Sequence, residues 1–270
     1  MTDGNNTTDG NNVEAGLDRF LPNGVDAPVT GSGTRIFNFS YTPGNPAGGD
    51  DPLTAEFQKG SVTQLFYLSN RYHDEMYKLG FTEAARNFQH DNFGRGGAGG
   101  DRISAEAQDS SGQNNANFST LADGGRGRMQ MYLWTPRTPF RDGGLDADIV
   151  VHELTHGLSN RLIGNAVGLA TLMSRGMGEG WSDFYAHAML SEPSDPIHGI
   201  YTVGAYSTSG FYSASPNGNY YYGIRAFPKA VKSFKGGALN RPHNPLTFAD
   251  IDETQLRGCL NFSRGKFSEH

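Results

Sequence analysis

A chain of 270 residues with 36% hydrophobic and 19% charged content can build one or two modest cores, and is neither disordered throughout nor membranous. A formal net charge of −6 leaves no basic stripe to displace counterions from phosphate, which argues against a nucleic-acid partner. No stretch approaches the ~20 apolar residues needed to span a bilayer, so no membrane partner is expected.

In chain order, residues 1–33 are polar, with Asp3-Gly4-Asn5-Asn6 echoed at Asp9-Gly10-Asn11-Asn12, and read as a flexible segment that packs poorly. The residues after Met1 are polar and do not read as the charged n-region and apolar core of a signal peptide. Apolar spacing predicts a helix from about Leu65 to Leu79; it carries His73-Asp74, a pair that reads as a structural hydrogen bond before a proton relay. Gly124 to Arg128 is a turn-rich approach to Met129-Gln130-Met131-Tyr132-Leu133-Trp134, whose alternation predicts an extended edge beside the helix that follows. Asp142 to Asp148 lacks the glycine spacing of an EF-hand and reads as a turn plus helix cap. Ile149, Val150, Leu154, Leu158 and Leu162 then recur at helical spacing, with Gly164 and Asn165 as the stop. A second helix is expected to begin after the glycines around Gly180. Lys229 to Lys235 is the densest basic patch and reads as a solvated helix face, and Cys259 is the only cysteine, so no intrachain disulfide can form.

The chemistry concentrates in His152-Glu153-Leu154-Thr155-His156. Residues four apart share one helix face and can direct two imidazole nitrogens at one ion. Glu153 is turned away from ligation but can reach a water on the metal and act as general base. Glu179 is the best third ligand, because two His and one carboxylate leave the fourth position of a zinc ion open, as in a catalytic site. Asp183, one turn beyond Glu179, can accept the second N–H of a ligating histidine. His187 reads as a packing histidine before an oxyanion donor, and Arg225 as either a clamp for a substrate carbonyl or a surface ion pair.

His-Glu-Leu-Thr-His-Gly followed by Glu179-Gly180-Trp181-Ser182-Asp183 resembles the zinc core of the fungalysin family of metallopeptidases, in its bacterial form, within the thermolysin-like group. Blocks such as Val62 to Tyr67, Asn87-Phe88-Gln89, Asn92 to Gly97 and Asn114 to Phe118 extend the resemblance from about residue 35 to about residue 250. It implies an endopeptidase acting on protein or peptide substrates with zinc-activated water. His152, His156 and Glu179 match the family's ligands, Glu153 its general base, and Asp183 its supporting carboxylate. Asn115 and Ala116 match the edge-strand segment that pairs with the substrate backbone, although Asn115 taken alone reads as an ordinary turn residue.

The expected architecture is α+β and thermolysin-like in two lobes. Residues 34–145 would form a strand-containing N-terminal lobe, and 146–270 a helical zinc-binding lobe that looks incomplete at its end. One zinc per chain is expected, calcium is left open, and the resemblance implies secretion with an inhibitory propeptide absent from this chain. A histidine that stabilises the tetrahedral intermediate in relatives has no matching position, and neither His198 nor His243 fills it. The alternative to a working endopeptidase is therefore a truncated homologue that binds zinc, and extended peptides, without turnover.

Overall fold

A computed structural model describes residues 6–33, 35–44, 48–209, 223–225 and 228–231. Its elements are β1 (Val13–Leu17), α1 (Ala55–Lys78), β2 (Ile103–Ala107), β3 (Ala116–Ser119), β4 (Arg128–Met131), β5 (Leu133–Trp134), β6 (Arg141–Asp142), α2 (Ala147–Leu162) and α3 (Leu172–Leu190), with two single-turn 3₁₀ helices at Glu83–Ala85 and Gly143–Leu145. The fold is mixed α+β. No helix among the described residues is long and apolar enough to cross a membrane.

α1 begins ten residues before its expected start. Asp51 accepts the Leu53 N–H and Thr54 takes the N-cap position, so the chain turns into the helix there, and Phe57, Val62, Leu65, Phe66, Leu68, Tyr72 and Met76 bury one face. The sheet runs β1-β2-β4-β3, with β1/β2 and β2/β4 parallel and β4/β3 antiparallel. α1 packs on β1 and β2, α2 on β3 and β4, and the two helices touch each other. Tyr72 Oη donates to Thr155 Oγ1 at 3.0 Å and ties α1 to the middle of α2.

Two expectations are corrected here. The stretch expected to pack poorly contributes β1, whose Val13 and Ala15 are fully buried; the pairing of Val13 with Ile103 and of Leu17 with Ala107 supplies the partner that a local reading of polar residues could not see. The alternating run 129–134 does not give the main sheet an edge either: its β4 lies between β2 and β3, and the outer strands of that sheet are β1 and β3. Burial explains why, since Met129 and Met131 are fully covered.

Arg128 joins the inner strands through its Nε to both Glu106 oxygens at 2.8 and 2.7 Å and through a terminal nitrogen to Asp18 at 3.1 Å. Arg161, wholly buried near the end of α2, donates to Asp101 at 2.7 Å, to the carbonyls of Arg86, Leu121 and Gly125, and lies over the Phe88 ring at 4.1 Å. α2 is thereby fixed to the loops on either side of β2 and β3. Gly164, at φ +66°, then turns the chain out of the helix where a side chain would be strained.

Candidate metal centre

α2 carries His152 and His156 four residues apart, and their Nε2 atoms face each other at 3.0 Å. α3 packs against α2 and brings Glu179 to both: its two oxygens lie 3.1 Å from His152 Nε2 and 3.3 Å from His156 Nε2. Three lone-pair atoms thus converge. An ion bound tetrahedrally at about 2.0–2.1 Å sets its ligands about 3.3–3.4 Å apart, so these nitrogen and carboxylate donors fit a four-coordinate divalent metal. With three protein donors the fourth position is left to water or substrate.

α3 starts well before the expected point. Thr171 accepts the Ser174 N–H while Ser174 Oγ accepts the Thr171 N–H, and this reciprocal cap opens the helix at Leu172, so Gly176, Gly178 and Gly180 lie inside it. Glu179 and Asp183 are then one turn apart on one face. Asp183 Oδ1 accepts from His152 Nδ1 at 2.8 Å, which fixes the tautomer that presents Nε2 to the metal position.

Arg225, expected to clamp a substrate carbonyl or form a surface pair, is committed to Asp183: Nε donates to Oδ2 at 2.8 Å and a terminal nitrogen to Oδ1 at 2.7 Å. Lys229 is no part of a solvated helix face. It sits in a β-bridge with Tyr201, and its Nζ donates to the Asp183 carbonyl at 2.8 Å. Lys232 and Lys235, like His243 and Cys259, lie outside the described residues. Local spacing carries no signal for Lys229, because its partner is 46 positions away.

Charge in the centre is dominated by carboxylates. Burial pulls the His152 imidazole down, but Asp183, Glu179 and Glu153 outweigh it and push it up to about 9. Burial would raise both Glu179 and Asp183, yet hydrogen bonds from His152 and His156 to the first, and from His152 and Arg225 to the second, hold them well below the usual carboxylate range. Glu153, buried beside the ligands, is raised by loss of solvent. Glu179 keeps about half of its side-chain exposure (49%), so the centre opens to solvent on the α3 side.

Asn115 directly precedes β3, and buried Ala116 is its first residue. His187 packs its ring 4.8 Å from that of Tyr201, and His73 bonds Asp74 at 3.1 Å and Asn87 at 3.3 Å; both are structural histidines. A second carboxylate group, Asp18, Glu106 and Asp109, is taken up by Arg128 and Gln130 of β4.

Two imidazoles and one carboxylate on packed helices, with a buried glutamate beside the first imidazole, form a candidate metal centre of the open type. Residues 1–258 match the fungalysin metallopeptidases (M36), and the chain belongs to that family. It is 48% identical over 196 residues to the extracellular metalloproteinase mep of Aspergillus flavus, covering 72% of this chain and 28% of that protein. It is 43% identical over 250 residues to the extracellular metalloproteinase MEP of Pyricularia oryzae (90% and 35%) and 41% identical over 259 residues to extracellular metalloproteinase 10 of Coccidioides posadasii (93% and 36%). The chain spans about a third of the length of these curated relatives.

Proposed function

We propose that the chain serves a secreted zinc metalloendopeptidase that hydrolyses peptide bonds in proteins. The observation that carries this reading is the convergence of His152, His156 and Glu179 within 3.0–3.3 Å, with Glu153 buried alongside. The extracellular assignment follows the names of the relatives.

Zinc held by His152, His156 and Glu179 would polarise a peptide carbonyl and acidify water. Glu153 accepts the proton of the attacking water and delivers it to the leaving amine; burial raises its pKa and so favours the first transfer. Asp183 orients His152, and Arg225 grips both oxygens of Asp183 so that this orientation is kept. β3 receives the substrate as an added strand, with Asn115 and Ala116 meeting its backbone, and Arg225, whose terminal nitrogen lies 3.8 Å from Glu179, faces a substrate carbonyl while it holds Asp183. The finer architecture we assign is thermolysin-like, with the sheet lobe below about residue 145 and a helical lobe from 146 onward.

The test is direct. The purified, zinc-loaded chain should cleave an internally quenched peptide, chelator should stop it, and Glu153→Gln should abolish cleavage while one zinc per chain is retained. Zinc at one per chain with no cleavage by the parent overturns the enzymatic reading.

A further inference from the structure

Phe118, the third residue of β3, does not pack in an ordinary pocket: its ring tip sits in a notch between two glycines on different elements. A Cβ at Gly157 would lie 2.7 Å from Cε1 and Cζ of the ring, and one at Gly127 would lie 3.0 Å from Cζ. Phe88 closes a third side, its ring centroid 5.7 Å away at 56°, and the Arg161 guanidinium lies over Phe88 at 4.1 Å. α2 therefore meets this ring twice, directly at Gly157 and through Arg161 and Phe88.

Gly157 follows the ligand His156 in the sequence, and Gly127 stands just before β4. A glycine inside a helix is less stable than alanine there, so its presence calls for a reason other than helix formation. Space supplies one. Neither glycine has a positive φ, so alanine is allowed by the backbone at both positions; the Phe118 ring opposes it at Gly157, and the Phe118 and Phe88 rings together oppose it at Gly127, where Phe88 Cε1 would lie 2.9 Å from the new Cβ.

We propose that Gly157 and Gly127 are positioning residues: by admitting the Phe118 ring they set the gap between edge strand β3 and the metal-bearing helix, and hence the depth at which an extended peptide lies beside the metal ligands. This rests on β3 being the substrate strand. A methyl group at Gly157 must displace the ring by about 0.8 Å to reach an ordinary contact of ~3.5 Å. The ring cannot retreat toward Gly127 or Phe88, so the displacement passes into β3. A misplacement of about 1 Å at a reacting centre costs about 10²-fold in rate, and a ground-state peptide complex should feel a smaller part of it.

The experiment uses the full zinc-loaded chain carrying Glu153→Gln, so that a fluorescein-labelled heptapeptide of alternating Phe and Ala binds without being cut. Anisotropy gives its affinity and metal analysis gives the zinc content. Adding Gly157→Ala should weaken peptide binding by about tenfold with zinc still at one per chain, and Phe118→Leu on top should restore affinity to within about threefold, because the shorter side chain vacates the notch. Gly127→Ala presses the same ring from the sheet side, and Phe88 with it at 2.9 Å, and should show the same loss with a partial rescue by Phe118→Leu, which keeps the test available if the first variant does not fold. Unchanged binding in the alanine variants, a loss that Phe118→Leu does not restore, or a loss that comes with loss of zinc overturns the proposal. A parent that holds zinc but binds no peptide overturns the edge-strand reading itself, and this proposal with it.

Discussion

Asp183 ties a metal donor to two cations outside the donor set. One oxygen takes the His152 N–H, both oxygens take Arg225, and its backbone carbonyl takes Lys229. Replacing it by asparagine keeps the shape and removes the charge that holds the imidazole in place. Asp183→Asn should therefore weaken zinc binding by about 10–100-fold, measured by competition with a chelator of known affinity, and an unchanged affinity would refute its orienting role. His152, Glu153, His156 and Glu179 were legible in sequence because helical spacing alone puts the histidines on one face and Glu179 stands one turn before Asp183. Arg161, Lys229 and the contact of Phe118 with Gly157 were not, since each acts through a partner 39 to 75 positions away that only the fold brings near.

At the scale of elements, the first turn of α2 departs most from its sequence reading. Asp146 holds the N-cap position, but its carboxylate makes no cap bond within the helix; it accepts the Ser207 N–H at 2.9 Å instead. Burial, and then the charge of Asp148, raise Asp146 to about 7. Because the folded form binds this proton more tightly than the unfolded chain, the stability it contributes is full below about pH 4 and is lost as pH rises through about 7. Buried Asp101, Asp142 and Glu106 are raised as well and act in the same direction. Thermal melts between pH 4 and pH 8 should show the melting temperature falling with pH, and Asp146→Asn, which can still accept the Ser207 N–H, should make that fall shallower. An identical slope in the variant would remove Asp146 as a cause. The limits of α3 were misread for a related reason. Three glycines look like a helix break by propensity, but the Thr171–Ser174 cap and packing against α2 override it, and Gly178 lies buried inside the helix.

For the whole molecule, the donors come from two helices, so a bound metal is also a cross-link between α2 and α3. A ligand at 1,000 times its Kd stabilises a folded chain by about 4 kcal/mol, which for a protein of this size corresponds to roughly 10 °C. Calorimetry of the zinc-loaded chain with and without chelator should show a drop of that order, and a melting temperature indifferent to chelator would mean that zinc does not bridge the helices. At the opposite end of the sheet, β1 is held by a strand that begins only at Ile103, a pairing of high sequence separation whose loop closure is entropically costly. Without β1, β2 presents an unpaired backbone edge that can template pairing with neighbouring chains. Lesions around Val13 would thus be felt as clumping during biosynthesis and poor yield, while the molecules that do mature keep their metal chemistry intact.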